Sequence, residues 1–365
     1  MHKFIPISQP SIGQLEIDYV TDAVKSTWIS SLGKYIDRLE EEFAHFCQTK
    51  HAISLSNGTV AIQLALAANN IGIGDEVIVP DLSFIATANA VLHVGAKPVF
   101  IDIDPYNLCM DPNKIEAAIT SKTKAIMPVH LYGHPADMEA INKVANKYGL
   151  IVIEDAAEAH GADINGKRVG GWGQSATFSF YGNKNITTGE GGMITTNDTT
   201  FAEKCKYLRD HAMSKEKRYW HTEPGYNFRM TNMQAALGCA QLNRYKELVE
   251  KKGQLFEWYN TGLKDLEGVS LNRTYEWATN SYWLIYFEHS NFKEDTRADF
   301  MTKMKAVGID TRPCFYPMSD MPYFDQANTP ATHLKYQQGL NLPTYFDLQK
   351  SDVDYIIENI KQILS

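Results

Sequence analysis

No run of this 365-residue chain approaches the roughly eighteen consecutive apolar residues of a membrane-spanning helix. The first twenty residues lack the basic, apolar and small-residue succession of a secretory signal, so a cytoplasmic protein is expected. Positive charge is in short supply: the net charge is −8, and the one basic run, KEKR at 215–218, is interrupted by Glu216. A nucleic-acid surface needs a basic stripe, so neither nucleic acid nor membrane is an expected partner. The five cysteines, Cys47, Cys109, Cys205, Cys239 and Cys314, show no paired or CxxC spacing. Neither a disulfide framework nor a zinc site is suggested, and the thiols should be free. Cys239, inside the helical apolar pattern AALGCAQL, reads as a buried structural thiol. His130 and His134 stand four apart, but Gly133 and Pro135 break any helix there and no third ligand follows at metal spacing. No metal site is expected, and no internal repeat or low-complexity segment is present.

What remains is an ordinary globular balance, 44% hydrophobic and 21% charged, in a chain long enough for two domains. From about 51 to 200, seven β-rich runs alternate with helical stretches: HAISLS, DEVIVP, KPVFID, KAIMPVHL, LIVIED, ATFSFY and GGMITT. That alternation predicts a sheet rich in parallel strands with helices on both faces. Two helices, Ile17 to Val24 and Tyr35 to Gln48, precede it, with TWISSLG as the loop between them. Beyond a long helix from Tyr245 come a strand in SYWLIYFE at 281–288, a helix near 295–307 and a last helix over 351–364. The reading is a large domain over 1–244 and a smaller α/β domain over 245–365, to which the first residues could also pack.

Within the first part, one lysine stands out. Lys184 lies between the apolar FSFY and the glycine turn TTGEGG, whose small residues allow tight turning or close backbone approach. Taken alone, this is equally a surface lysine in a hairpin. Upstream, LIVIEDAAEAHGA is an apolar strand ending in Glu154 and Asp155, and ligands of open α/β sheets bind at the carboxyl ends of strands. A pyridoxal phosphate site needs a lysine to capture the aldehyde and an acid to keep the pyridine nitrogen protonated; Lys184 and Asp155 supply both. The turn SNGT at 56–59 opens a helix, where backbone N–H groups and the Thr59 hydroxyl form an anion site suited to the phosphate. Phe84 in DLSFIATANAV reads by itself as core, and His160 as a satisfied core histidine.

These stretches, with GYNFRMTN at 225–232 and RPCFYP at 312–317, resemble the DegT-type nucleotide-sugar aminotransferases across essentially the whole chain. The resemblance implies fold type I of the pyridoxal-phosphate-dependent transferases, with a mixed, mostly parallel seven-stranded sheet flanked by helices and a smaller C-terminal α/β domain. It implies that Lys184 is the catalytic amine, that Gly58, Thr59 and Ser179 hold the phosphate, and that Phe84 stacks on the ring. It further implies that Asp155 faces the ring nitrogen and Glu158 the phenolic oxygen. Asn227 would reach the cofactor phosphate of a second subunit, giving a homodimer with shared sites, and Ser31, Arg229 and Tyr316 would meet substrate. Ser319 departs from the pattern, since many relatives place histidine there, which puts the sugar contacts in doubt. The implied donor is L-glutamate and the implied acceptor a nucleotide-linked 4-keto-6-deoxy sugar, GDP-4-keto-6-deoxymannose before UDP- or dTDP-linked ones. Related 3-dehydratases look to have histidine where this chain has Lys184. A non-catalytic protein of the same fold would be expected to lose the lysine or the acid, and both are here.

Overall fold

The seven runs pair into a single sheet in the computed structural model, which describes residues 4–365. In chain order the strands are β1 (His51–Leu55), β2 (Glu76–Pro80), β3 (Lys97–Ile101), β4 (Thr123–Ile126), β5 (Ile151–Asp155), β6 (Ser175–Ser179) and β7 (Gly192–Thr196). Across the sheet they run β1-β7-β6-β5-β4-β2-β3. β7 is antiparallel to both β1 and β6, and the remaining pairs are parallel, so the sheet is mixed and mostly parallel. Burial explains the continuous apolar runs. Val77, Val79, Ile153 and Ile194 pack into one core, whereas their neighbours Ile78, Val152 and Met193 pack into clusters on the opposite face. A sheet covered on both sides has no solvated face to impose polar alternation.

The helix α1 spans Gln14–Lys25 and α2 spans Lys34–Phe46. The second ends two residues before the sequence pattern suggested, because Gln48 takes a positive φ of 58° that no helix accommodates. The helix α3 (Gly58–Ala68) begins at Asn57, whose side chain accepts from the Val60 N–H at 3.0 Å.

After the helix Tyr245–Leu263 comes a second, wholly antiparallel sheet of β8 (Val269–Leu271), β9 (Ile285–His289), β10 (Arg312–Pro313) and β11 (Gly339–Leu342), ordered β8-β9-β11-β10. Its core joins Ile285, Phe287, Leu340 and Leu342 to Leu255, Phe300 and Ile356 from the helices, and to Ile5 from the start of the chain. SYWLIYFE contains less strand than its composition suggests. Only Ile285 onward is extended in the sheet, since Tyr282 has a φ of 45° and bends the preceding residues away from it. Among the described residues no helix is long and apolar enough to cross a membrane. All five cysteines are free and buried.

Candidate active site

Glu154 and Asp155 end β5 side by side, and the period of two in a strand sends them to opposite faces. Glu154 is fully buried and structural. It accepts from the backbone N–H groups of Gly170, Trp172 and Gly173 at 2.7–2.9 Å and meets His130 Nε2 at 3.1 Å. Burial opposes its charge, but those donors prevail and hold its carboxyl below the usual range. Asp155 instead lines a cleft of about 720 Å³ at the carboxyl ends of the strands. Its carboxylate accepts from the Thr87 hydroxyl at 2.7 Å and the Ala157 N–H at 3.2 Å, and it forms no ion pair among the described residues. Burial pushes its pKa up, with the Thr87 bond and the Lys184 charge acting against the rise.

Lys184 follows β6 and enters the same cleft. Its Nζ lies 3.5 Å from Glu158 Oε1 and 3.5 Å from the centre of the Trp283 indole, with the side chain 9% exposed. Desolvation lowers its pKa, while Glu158 and Asp155 pull the other way. Glu158 also accepts from the Tyr132 N–H at 3.0 Å, and burial pushes it up to about 7. The surface-hairpin reading of Lys184 is therefore excluded. His160 is a core histidine that packs on Phe43, Phe178 and Phe180, and its ring nitrogens make no well-formed hydrogen bond among the described residues. Burial and the Lys184 charge push it down to about 3, so it is neutral.

Gly58 and Thr59, at the start of α3, line the opposite wall with Ser179. The approach is close enough that a Cβ on Gly58 would come within 2.7 Å of the Ser179 Cβ. The glycine turn after Lys184 serves the same wall: a Cβ on Gly192 would lie 2.3 Å from the Asn57 carbonyl oxygen. Phe84 lines the cleft too. Read from the residues alone it is core, yet it is 56% exposed, since the segment after β2 carries it across the mouth, where its nearest ring is Phe315.

The remaining sequence-predicted residues do not line this cleft. Asn227 and Arg229 bond to each other at 3.0–3.1 Å, and Arg229 pairs with Asp210 at 2.8 Å. Ser31 sits in the loop after α1, which Asn232 ties to the rest of the fold through Trp28 O, Ser30 O and the Tyr35 N–H. Tyr316 lines a neighbouring cavity of about 430 Å³ that shares Ser83, Phe84, Asn183, Trp283 and Phe315 with the first. Ser319 is buried and bonds through its N–H and hydroxyl to Asp81 at 2.7 and 2.8 Å, so it props the loop after β2. Sequence reasoning missed Thr87 and Trp283. Each reaches its partner across a long stretch of chain, and no local pattern marks either one.

The residues present fit pyridoxal phosphate. A buried carboxylate with no cationic partner suits a protonated ring nitrogen, a buried lysine stands in the same cleft, and a helix start with a Gly58–Ser179 wall too close for a side chain offers backbone donors to a phosphate. The fold and the site together are those of a pyridoxal-phosphate-dependent enzyme. The model of the DegT/DnrJ/EryC1/StrS aminotransferase family matches residues 10–361, and the chain belongs to that family. Among curated relatives it is 45% identical to the GDP-perosamine synthase of Caulobacter vibrioides, covering 99% of this chain and 98% of the relative. It is 42% identical to the GDP-perosamine synthase of Escherichia coli O157:H7 over 100% and 99%. Among solved structures, the putative sugar aminotransferase Spr1654 of Streptococcus pneumoniae, in its PMP form, superposes with a TM-score of 0.94 at 29% identity over 99% of this chain and 97% of that one. The same protein has been solved in a PLP form.

Proposed function

We propose that this aminotransferase moves the amino group of L-glutamate to C4 of GDP-4-keto-6-deoxymannose, giving 2-oxoglutarate and GDP-perosamine, as a cytoplasmic homodimer. The observation that carries the site is the meeting of Lys184, Asp155 and Glu158 in one cleft. The choice of acceptor draws its support from the two GDP-perosamine synthases at 45% and 42% identity over nearly full length.

Pyridoxal phosphate, when bound, supplies an aldehyde for covalent capture and an electron-withdrawing ring that stabilises negative charge on the neighbouring carbon. In this reading Lys184 is the amine that captures it. Asp155, oriented by the Thr87 hydroxyl, would hold the ring nitrogen protonated, and that cation would offset the cost of burying the carboxylate's charge. Gly58, Thr59 and Ser179, which line the cleft, would hold the phosphate, Phe84 would cover the ring and Glu158 would lie near its phenolic oxygen. Freed from that bond, Lys184 Nζ takes the proton from the α-carbon of the amino donor and later returns one to the sugar carbon. Desolvation serves this role, because a lysine of ordinary pKa is a poor base at neutral pH. Asn227 and Arg229, outside the cleft of their own chain, serve the site of a second copy, and Ser31 and Tyr316 meet substrate. Residues 1–244 form the large cofactor-holding domain and 245–365 the smaller C-terminal domain.

A panel of GDP-, UDP- and dTDP-linked keto sugars with L-glutamate tests this, the product amine being located by NMR. A 4-amino sugar formed preferentially from the GDP substrate is expected. Preference for a UDP- or dTDP-linked sugar would reject the acceptor, and an amine at C3 would reject the regiochemistry.

A further inference from the structure

Trp283 belongs to the second sheet's side of the molecule, yet its ring lies against Lys184. The residues just before β9 turn out of the strand at Tyr282, and three attachments fix where they go. The Trp283 Nε1–H donates to the Asn183 carbonyl at 2.8 Å, one residue before the lysine. The Asn185 side-chain amide, one residue after it, donates to the Ser281 carbonyl at 2.9 Å. Lys252, in the helix Tyr245–Leu263, donates to the Trp283 carbonyl at 3.1 Å and to the Thr344 carbonyl at 2.7 Å.

Two features distinguish this from ordinary packing. The Lys184 nitrogen is 3.5 Å from the indole centre, contact distance for a cation on a π face, and its nearest carboxylate oxygen is also 3.5 Å away, on Glu158. The ring therefore replaces part of the ammonium's hydration. Lys252 is buried and, among the described residues, bonds only to carbonyls and to no carboxylate. A buried amine so placed costs stability, and what it holds is the backbone of the residue that touches Lys184.

We infer that Trp283 is a positioning residue for Lys184: its indole is the face on which the unbonded Lys184 ammonium rests, and Lys252 holds that face in place from the second sheet. The inference rests on reading Lys184 as the proton-moving amine. It makes the second sheet a participant in the site, since the backbone carrying Trp283 runs directly into β9.

The indole acts on Lys184 in two opposed ways, favouring the ammonium through its π face and disfavouring it by excluding water. Leucine keeps the second and removes the first. The other groups facing Lys184 are Asp155 at the end of β5 and Glu158 and His160 from the turn after it, with Tyr181 and Glu190 along the same cleft; none is altered by the substitution. The experiment uses the full-length chain freed of cofactor, a form in which the Streptococcus pneumoniae relative has also been solved. Lys184 is titrated through its rate of reductive methylation across a pH series, read by peptide mass mapping. Trp283→Leu should lower its midpoint by about one pH unit, the worth of a desolvated cation–π contact. Trp283→Phe, which keeps a smaller π face, should lower it less, and Lys252→Met should shift it in the same direction. A midpoint that stays or rises in both the Leu and Phe variants overturns the inference; if the Leu variant does not fold, the Phe variant decides alone. If the midpoint falls as expected while Lys184→Ala still transaminates, the contact stands and the assigned role of Lys184 fails instead.

Discussion

Asp155, Glu158 and Lys184 on the floor of the cleft are almost wholly shielded, while Asn227, Trp28 and Leu32 on the loops outside it stand open to solvent and Arg229 is half-buried. The floor is built from strand ends and a turn fixed by the sheet, so its carboxylates and amine are pushed off their usual pKa values by burial and by one another. The outer loops are tied down as firmly in their backbones: Ser56 N–H bonds the Phe228 carbonyl and Asn232 N–H the Ser30 carbonyl. Their side chains are engaged more locally, Arg229 with Asn227 and Asp210. Asn227 spends its carbonyl on Arg229, and Trp28 and Leu32 expose 57% and 67% of their surface. The contrast teaches that Lys184, Asp155 and Glu158 are brought together within one chain, whereas Asn227 stays outside that chain's cleft; in the proposed homodimer it would serve a second copy.

The largest expected effect comes from removing the amine at the floor. Lys184→Ala should reduce turnover by about 10⁴-fold or more, since general-base function and covalent capture are both lost, while the fold is kept. Circular dichroism beside steady-state rates checks it. Asp155→Asn should come next, at about 10²–10³-fold, in line with the loss of one preorganised charge. Asn keeps a Thr87 acceptor but cannot hold the ring nitrogen protonated.

Outside the cleft, Asn227→Ala alone should weaken cofactor retention, and the sharper test is mixing. Hybrids of Lys184→Ala and Asn227→Ala chains have one intact site in two, so random exchange should restore about a quarter of native activity. Mixtures shown to contain hybrids yet silent in the assay would place Asn227 in its own chain's affairs.

The smallest effect is on stability. Glu158, at about 7 in the fold against 4.5 unfolded, holds its proton more tightly when folded. The stability this contributes is complete below about 4.5 and lost as pH rises through about 7, with a slope of at most about 1.4 kcal/mol per pH unit. In the cofactor-free chain, Glu158→Gln should flatten that stretch of the denaturation profile. An unchanged profile would show that Glu158 does not titrate there.

Much of the floor was legible because the chemistry imposes residue types at strand ends: an apolar run closing on Asp155 and a lysine before a glycine turn suffice to suggest the pair. The seven strands were legible for a related reason, since a doubly covered sheet writes its strands as continuous apolar runs. Adjacent carboxylates were not separable by pattern, and only the strand's alternation reveals that Glu154 serves the 170–173 loop while Asp155 serves the cleft. Phe84 misled because an aromatic in an apolar stretch is usually core; its exposure follows from where the chain crosses the mouth. Trp283 was hidden inside SYWLIYFE, where β-prone composition suggested strand and a positive φ at Tyr282 produced a bend. The dependence of Lys184 on a residue 99 positions away is a tertiary fact that no spacing encodes.

Lys184 is, in the proposed mechanism, the amine that bonds the cofactor. Borohydride reduction of the purified holoenzyme followed by peptide mass mapping should place a single pyridoxyl group on the peptide containing Lys184; a pyridoxyl group on any other lysine, with Lys184 unmodified, would contradict it.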